Sequence, residues 1–370
     1  MKVGIDTFGC DHGNSNAGLY LLSIAKLLRS GGDMEFEFFG EEEDLYLFNR
    51  DNNIDFVPVR LSGKRGSPFW WHVIGFNAFC KIQKYDVVVI PAAMRLVPFC
   101  PLTPTVAIVT DTVPGSYKKE RLLRRMFIRA GLKSSGRVVV PSRFMKRSLG
   151  PLRIKQKKIS VIHNGIDHSV FRARTEEPDP RAEPSTFSVK KPYFICVSPL
   201  SSPEKHHRNL IRAYSLFRGA NPGFKHRLVL AGGEGGLEEV RGEIAASPFA
   251  SDILVTGCIP HDEFPALYSG AEGAVFLPDG EGAGMAVVEA MATGVPVACS
   301  RGGALSEIAG DSALFFDGQD VHDIAEKLAL VARKDKKSTD TAAGIAWARR
   351  FDWARTCEEL LAEIRSLAKK

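Results

Sequence analysis

Short apolar runs rich in β-branched residues alternate with amphipathic stretches along almost all of the 370 residues. In the first half these runs predict strands at residues 3–6, 35–39, 55–59, 86–90, 106–110, 137–140 and 159–162. In the second half they predict strands at residues 193–197, 227–230, 253–256, 273–277, 296–299 and 313–316. Helices are predicted between most of them, including residues 17–29 and 119–133, and from residue 321 to the C-terminus. This alternation is typical of βαβ units that build a parallel sheet.

A polar interval separates the two series of strands. Residues 175–185 contain three prolines, four acidic residues and no apolar run, which predicts an exposed linker. The chain length also suits two hydrophobic cores better than one. We therefore predict two Rossmann-like, doubly wound α/β domains that face one another, at residues 1–174 and 186–350, followed by a last helix at residues 351–370.

Composition is that of an ordinary soluble protein. Hydrophobic residues make up 44% and charged residues 25%, and no apolar run reaches the roughly 18 residues of a membrane span. The N-terminus enters a strand without the pattern of a secretory signal, so a cytoplasmic location is expected. Seven scattered cysteines without a C-x-x-C pair favour neither zinc nor a disulfide framework, and we expect them to be mostly reduced and buried.

Positive charge is concentrated in one region. Residues 118–158 contain 15 basic residues and one acidic residue. Arg121, Arg124, Arg125 and Arg129 share a predicted helix with Leu122, Leu123, Phe127 and Ile128, which either insert into lipid or pack inward. An anionic membrane surface is the favoured partner, on the inner face of the membrane. A solvated basic face is the alternative, and nucleic acid is disfavoured because no nucleic-acid-binding motif accompanies the charge.

Candidate chemistry lies between residues 276 and 300. A strand ends there, a turn rich in glycine follows, and a helix begins near Met285. The free N–H groups at a helix start attract an anion such as phosphate. Glu281 in the turn and Glu289 in the helix are positioned to accept hydrogen bonds from the hydroxyl groups of one polyol ligand. The alternative is a glycine-rich surface turn followed by a helix whose glutamate faces water.

This region resembles the family 4 retaining glycosyltransferases of GT-B fold. The family pattern is E-G-x-G, a hydrophobic stretch, E-A-M-A-x-G-x-P-V and a serine. The corresponding residues are Glu281, Gly282, Ala283, Gly284, Glu289, Ala290, Met291, Ala292, Gly294, Pro296, Val297 and Ser300. Weaker similarity covers most of the chain, including residues 161–167, 203–205, 228–236 and 351–353. The resemblance implies the GT-B fold, in which the last helix crosses back to the N-terminal domain.

Roles for individual residues follow from the resemblance. Glu289 is expected to hold the donor ribose, Glu281 to lie beside the transferred sugar, and Lys205 to neutralise the leaving diphosphate. The other residues implied on the donor side are Gly282, Ala283, Gly284, Met285, Gly232, Gly233, Gly257, Cys258, Ile259 and Arg208. Those implied on the acceptor or sugar side are Gly18, Thr110, Asp111, Asn164 and Gly165. For Lys205 the alternative is a solvated lysine at a helix start.

The chain also departs from the family pattern. Pro199 stands near the position of a family arginine, so one phosphate ligand of the family is missing, and Arg208 and Arg143 are the candidates to replace it. Thr110 stands where the family often has histidine, and no D-x-D motif is present, so no metal is predicted.

The resemblance implies a hexosyltransferase that uses a UDP- or GDP-sugar donor and a glycan or lipid-linked acceptor, in the synthesis of cell-surface polysaccharide or glycolipid. The alternatives are another GT-B activity, inverting transfer or epimerisation, and a catalytically weakened protein that binds nucleotide or glycan as a partner subunit.

Overall fold

The chain forms two compact units. The computed structural model describes residues 1–48, 54–61, 67–110, 112, 120–173, 189–200, 205–233, 237–333 and 340–368. One unit comprises Met1–Gly165 together with Trp353–Lys370, and the other comprises Ile166–Asp352.

The first unit contains a parallel sheet of seven strands in the order β3-β2-β1-β4-β5-β6-β7. The strands are β1 (Lys2–Asp6), β2 (Glu35–Gly40), β3 (Asp55–Pro58), β4 (Val87–Ile90), β5 (Thr105–Ile108), β6 (Arg137–Val140) and β7 (Ile159–Val161). The helices between them are α1 (Asn16–Ala25), α2 (Leu45–Phe48), α3 (Ser67–Ile74), α4 (Phe76–Gln83), α5 (Leu122–Ser134) and α6 (Arg143–Ser148).

Both faces of this sheet are covered by apolar side chains, which explains why its middle strand β4 is apolar throughout. In β4, Val87 and Val89 point into a core shared with α1, while Val88 and Ile90 point into a second core shared with α4 and α5. Successive side chains of a strand face opposite sides, so a strand buried on both faces requires a continuous apolar run.

The second unit contains a parallel sheet of six strands in the order β10-β9-β8-β11-β12-β13. The strands are β8 (Tyr193–Val197), β9 (Arg227–Ala231), β10 (Ile253–Gly257), β11 (Gly273–Phe276), β12 (Val297–Ser300) and β13 (Leu314–Phe316). The helices are α7 (His207–Ala220), α8 (Leu237–Ala245), α9 (Phe264–Gly270), α10 (Met285–Ala292), α11 (Leu305–Ala309), α12 (Val321–Ala332) and α13 (Thr341–Ala348).

The last helix, α14 (Trp353–Ala368), belongs to the first unit. Its buried residues Cys357, Leu360 and Ile364 join the core that contains β1 and α1. The two ends of the second unit meet where the Ile166 amide donates to the Phe351 carbonyl at 3.1 Å.

All thirteen predicted strands are present, with ends that differ by at most two residues. Helix α1 ends at Ala25, earlier than predicted, and Leu28, which continues the apolar pattern, is buried in the core from beyond the end of the helix. The linker predicted at residues 175–185 lies outside the described residues, and the two units divide ahead of it, at Gly165.

Candidate functional site

The residues predicted to bind a donor lie at the carboxyl edge of the second sheet. Lys205 follows β8, Gly232 and Gly233 follow β9, and the loop at residues 277–284 follows β11. Strands β8 and β11 are neighbours in the middle of the sheet, and the strand order changes direction between them. Ligands of open parallel sheets bind at such a switch point, beyond the carboxyl ends of the strands.

Lys205 and Glu281 form a direct ion pair at this edge. Lys205 Nζ lies 2.5 Å from Glu281 Oε2, and the two side chains are only 16% and 28% exposed. The other oxygen, Glu281 Oε1, accepts a longer hydrogen bond of 3.4 Å from the Gly284 amide. The pair therefore holds a cation and a carboxylate together at the start of α10.

The loop that carries Glu281 packs tightly against the segment after β12. Gly303 has a φ of +60°, and a Cβ atom there would lie 2.6 Å from both the amide nitrogen and the carbonyl oxygen of Glu281. Ala304 N donates to Glu281 O at 2.8 Å. A side chain at position 303 would therefore displace the backbone of Glu281.

Helix α10 begins without a capping side chain. Its N-cap, Gly284, has a φ of +66° and no side chain to occupy the N-terminus of the helix. The positive end of the helix dipole therefore lies beside Glu281 and Lys205, where a diphosphate is attracted to the backbone N–H groups.

Glu289 lies on α10 and is paired with a histidine. Its Oε1 atom is 3.2 Å from His261 Nε2, and the carboxylate side chain is only 13% exposed. The His261 ring packs edge-on against buried Phe171, with the ring centroids 5.2 Å apart. The sequence around His261 has no metal-ligand spacing, so it gives this residue no predicted role.

A second pair lies next to Lys205 in the chain. His206 Nε2 is 2.6 Å from Asp279 Oδ2, and Gln319 Nε2 donates to the same oxygen at 3.0 Å. The backbone of His206 is in the left-handed region, with a φ of +51°. Neither Asp279 nor Gln319 carried a sequence signal.

The sequence predicts that the adjacent His206 and His207 are surface residues, one of them near the cleft, and this prediction is wrong for His207. This residue is 4% exposed, and its Nε2 atom is 2.7 Å from Ser198 Oγ. Burial lowers the pKa of His207 to about 4, and the nearby positive charges of Lys205 and His206 add to this effect. His207 is therefore a neutral imidazole near pH 7.

The remaining donor-side residues form the ends of neighbouring strands. The Gly232 amide donates to the Gly257 carbonyl at 3.2 Å, and Cys258 is exposed at the same edge while Ile259 is buried. Arg208 is directed elsewhere, because its Nε atom lies 3.2 Å from Glu243 on α8. A role for Arg208 as a phosphate ligand remains a prediction.

The predicted acceptor-side residues belong to the first unit. Gly18 lies in the first turn of α1, Thr110 follows β5, and Asn164 and Gly165 follow β7. Asp111 lies outside the described residues.

Sequence reasoning missed a pocket of about 340 Å³ at the carboxyl edge of the first sheet. Thr7, Glu41 and Arg95, which follow β1, β2 and β4, contribute to its wall. Its full lining is Thr7, Phe8, Gly9, Asp11, His12, Glu41, Asp44, Pro68, Phe69, Arg95, Leu96 and Arg124. The pocket therefore combines acidic, basic and aromatic groups.

Buried Asp44 organises one side of this pocket. Its two oxygens contact Thr7 Oγ1 at 2.5 Å and His12 Nδ1 at 2.8 Å, and the second contact raises the pKa of His12. Among the described residues, His12, Glu41 and Glu43 also have potential metal-ligating atoms within 4.8 Å of one another. They are far from buried, since the side chains of His12 and Glu43 are 51% and 79% exposed.

Two α/β units, with a lysine and two glutamates at the carboxyl edge of the second sheet, define a glycosyltransferase of the GT-B class. The model for Glycosyltransferase Family 4 matches residues 17–170, and the model for Glycosyl transferases group 1 matches residues 179–344. The chain therefore belongs to the family 4, group 1 glycosyltransferases.

Named relatives support the same assignment. O-antigen chain mannosyltransferase B of Escherichia coli is 32% identical over 153 residues, or 41% of this chain and 40% of that protein. A GDP-mannose-dependent alpha-(1-6)-phosphatidylinositol monomannoside mannosyltransferase of Mycobacterium tuberculosis is 31% identical over 199 residues, or 50% of this chain and 49% of that protein. The matched region thus spans less than half of either relative.

The fold is shared with solved structures across the whole chain. Anabaena HepE in complex with UDP-glucose superposes with a TM-score of 0.73 at 17% identity, covering 99% of this chain and all of that one. A glycosyltransferase from Rickettsia africae gives a TM-score of 0.72 at 15% identity, covering 100% and 99%. In the described part of the chain, no helix combines the length and apolar composition needed to cross a bilayer.

Proposed function

We propose that the chain transfers a hexose from a UDP- or GDP-sugar to a glycan or lipid-linked acceptor, with retention of the anomeric configuration and without a divalent metal. The observation that carries this proposal is the arrangement of Lys205, Glu281 and Glu289 around the start of α10. It combines a cation, an uncapped helix N-terminus and two carboxylates, which are the groups that a nucleoside diphosphate sugar requires.

Each of these groups has a distinct task in the proposal. Glu289 accepts hydrogen bonds from the ribose hydroxyls, and Lys205 together with the N–H groups at the start of α10 receives the diphosphate. Glu281 then accepts from hydroxyl groups of the transferred sugar. Because the donor takes over Lys205, the ion pair with Glu281 is exchanged for one with phosphate.

The reaction replaces one C–O bond with another. The bond between the anomeric carbon and the diphosphate oxygen breaks, and the acceptor oxygen bonds to the same face of that carbon. The acceptor proton passes to the departing phosphate oxygen, so the transfer requires no protein nucleophile. Lys205 stabilises the negative charge that develops on the diphosphate, which is where preorganised cations contribute most to a rate.

Names of relatives support the donor and acceptor classes. The M. tuberculosis relative is described as GDP-mannose-dependent, and HepE binds UDP-glucose. The E. coli relative is named for an O-antigen chain, and the M. tuberculosis relative for a phosphatidylinositol mannoside. We propose a corresponding role in cell-surface polysaccharide or glycolipid synthesis, by a cytoplasmic protein that attaches peripherally to the membrane.

A second candidate function is donor binding without transfer. It is motivated by Pro199 and Thr110, which occupy positions where the family often has arginine and histidine. Retention of the paired Lys205 and Glu281 favours the enzyme.

One experiment separates the two functions. The purified protein is titrated with UDP- and GDP-sugars, and binding is measured as thermal stabilisation, which rises with the ratio of ligand concentration to Kd. The stabilising donor is then incubated with acceptor extract, and the anomeric configuration of the product is determined by NMR. An α-configured product from an α-configured donor supports the proposal, an inverted product refutes retention, and stabilisation without transfer or hydrolysis establishes the binding role.

A further inference from the structure

Half of the exposed large apolar side chains of the described first unit lie on or beside α3 and α5. On α5, Leu122, Leu123 and Met126 are 72%, 56% and 61% exposed. Residues three and four positions apart share a helix face, so Met126 lies beside both leucines. On α3, Trp70 and Ile74 are 49% and 75% exposed and share a face for the same reason.

Contacts around Phe127 join these elements into one surface. The Phe127 ring lies 6.5 Å from that of Trp70 and 5.1 Å from that of Phe99, which is itself 41% exposed. Buried Ile128 anchors α5 to the core on its opposite side. We refer to Trp70, Ile74, Phe99, Leu122, Leu123 and Met126 as the apolar face. A contiguous apolar face of this kind marks an interaction site in a water-soluble protein.

Cations occupy the same end of α5. Arg121 is its N-cap, it makes no capping hydrogen bond through its side chain, and the first turn contains no acidic residue. Arg125 follows one turn later, and Arg124 stacks on Phe69 with its guanidinium carbon 5.3 Å from the ring centroid. Positive side chains at a helix N-terminus oppose the helix dipole. This end of the helix is therefore suited to an anionic partner.

We infer that the apolar face and the arginines at the start of α5 form a contact surface for an anionic lipid bilayer. Charge complementarity decides the occupant: exposed leucines enter the acyl region while adjacent arginines meet the headgroups, and a tryptophan lies at the boundary between them. A bilayer also places lipid-linked molecules near the pocket, because Arg124 and Phe69 line the pocket and are next in sequence to Leu123 and Trp70 of the apolar face. The inference rests on the proposed function, whose peripheral membrane attachment it assigns to this surface and whose acceptor the bilayer supplies.

The test uses the full chain with vesicles of phosphatidylcholine alone and with one quarter phosphatidylglycerol. The binding variants are L122S/L123S/M126S and R121Q/R125Q. The matched controls are Y46S/L254S, which removes apolar side chains that are 81% and 43% exposed elsewhere, and R349Q/R355Q, which removes the same charge from an exposed region. Co-sedimentation gives the bound fraction, and quenching of Trp70 by brominated lipid, absent in W70F, reports insertion.

We expect wild type to bind the anionic vesicles, more weakly as salt rises, with Trp70 quenched. Loss of two arginines should lower the partition coefficient by roughly 25-fold, about fivefold for each cation. The apolar variant should lose at least tenfold and should lose the quenching, while both controls remain like wild type.

Two results would overturn the inference. The first is wild-type protein that does not bind anionic vesicles, which would leave the apolar face to a protein partner. The second is an apolar variant that binds as well as its control, which would leave attachment to the arginines alone. Thermal unfolding of each variant checks that the first unit is folded, and thermal stabilisation by UDP or GDP separates this outcome from failure of the donor site.

Discussion

Replacing Lys205 with methionine tests whether its ion pair with Glu281 serves the donor or only the fold. Methionine keeps most of the length and apolar surface of lysine but removes the charge. In the wild type, Nζ lies 2.5 Å from Glu281 Oε2, and the two side chains are 16% and 28% exposed. The substitution therefore leaves a partly buried carboxylate without its cation.

Lys327 offers a matched control in the same unit. Its Nζ atom lies 3.1 Å from Asp323, and the two side chains are 19% and 28% exposed, close to the values for Lys205 and Glu281. It belongs to α12 and pairs within one helix, so it has no proposed part in donor binding. A purely structural effect should therefore be similar in K205M and K327M.

The expected magnitudes differ between stability and binding. Loss of a partly exposed ion pair costs about 1 kcal/mol of unfolding free energy, and both variants should show it in urea titrations. A hydrogen bond from a charged group to phosphate contributes about 1.5 to 3 kcal/mol. K205M should therefore bind UDP or GDP at least tenfold more weakly, while K327M binds like wild type.

Calorimetric titrations with a nucleoside and with the nucleoside diphosphate show which part of the donor depends on Lys205 for binding. K205M should bind uridine or guanosine as wild type does, because these compounds lack the diphosphate that Lys205 is proposed to meet. Equal affinity of K205M and K327M for the diphosphate would refute the reasoning, since the pair would then contribute to stability alone.

Three further predictions concern the same unit. Glu289→Ala should weaken binding of the nucleoside as well as the diphosphate by at least tenfold, because ribose is common to both; calorimetry with the two ligands checks this, and an effect confined to the diphosphate contradicts the ribose role. Transfer should persist in excess EDTA, and activity that disappears with EDTA and returns with Mg²⁺ or Mn²⁺ contradicts metal independence. Because the pKa of His207 falls to about 4 in the folded chain, the unfolded chain takes up the proton first as the pH falls. The contribution of neutral His207 to the unfolding free energy is therefore complete above about pH 6.5, and up to about 3 kcal/mol of it is lost as the pH falls towards 4. Urea titrations should show a smaller loss in His207→Gln and an unchanged loss in His322→Gln, whose side chain is exposed.

The strands were predictable because burial on both faces of a parallel sheet leaves a simple signal. Strand β4 is apolar at every position, and its neighbour β5 departs from this pattern only at Thr105. Helix ends were less predictable, as α1 shows: Leu28 continues the apolar pattern but packs into the core from beyond the helix. An apolar side chain buries the same apolar area whether it projects from a helix or from a turn, so the apolar pattern alone does not mark the helix end.

The side-chain pairs at the candidate donor site could not be predicted. Lys205 and Glu281 are separated by 76 positions, and His261 and Glu289 by 28. The family pattern assigned roles to Lys205, Glu281 and Glu289, but it carried no information about which groups they meet when no donor is bound. His207 shows the converse, since Ser198 satisfies a polar side chain that local sequence placed at the surface.

The two sheets also differ in how far the sites at their carboxyl edges can be recognised in the sequence. The two carboxylates and the anion-binding N-terminus of the candidate donor site come from one continuous segment, the turn at residues 277–284 and the helix α10, and Lys205 joins them from a distant one. The pocket of the first unit instead draws on residues from Thr7 to Arg124, which lie on five separate segments and are ordinary in their local context. A segment that carries most of a site can be recognised in the sequence, whereas a site assembled by the sheet from many segments becomes visible only when the strand order is known. The strand order brings the ends of β1, β2 and β4 together, and that proximity gives Arg95 and Asp44 a common cavity.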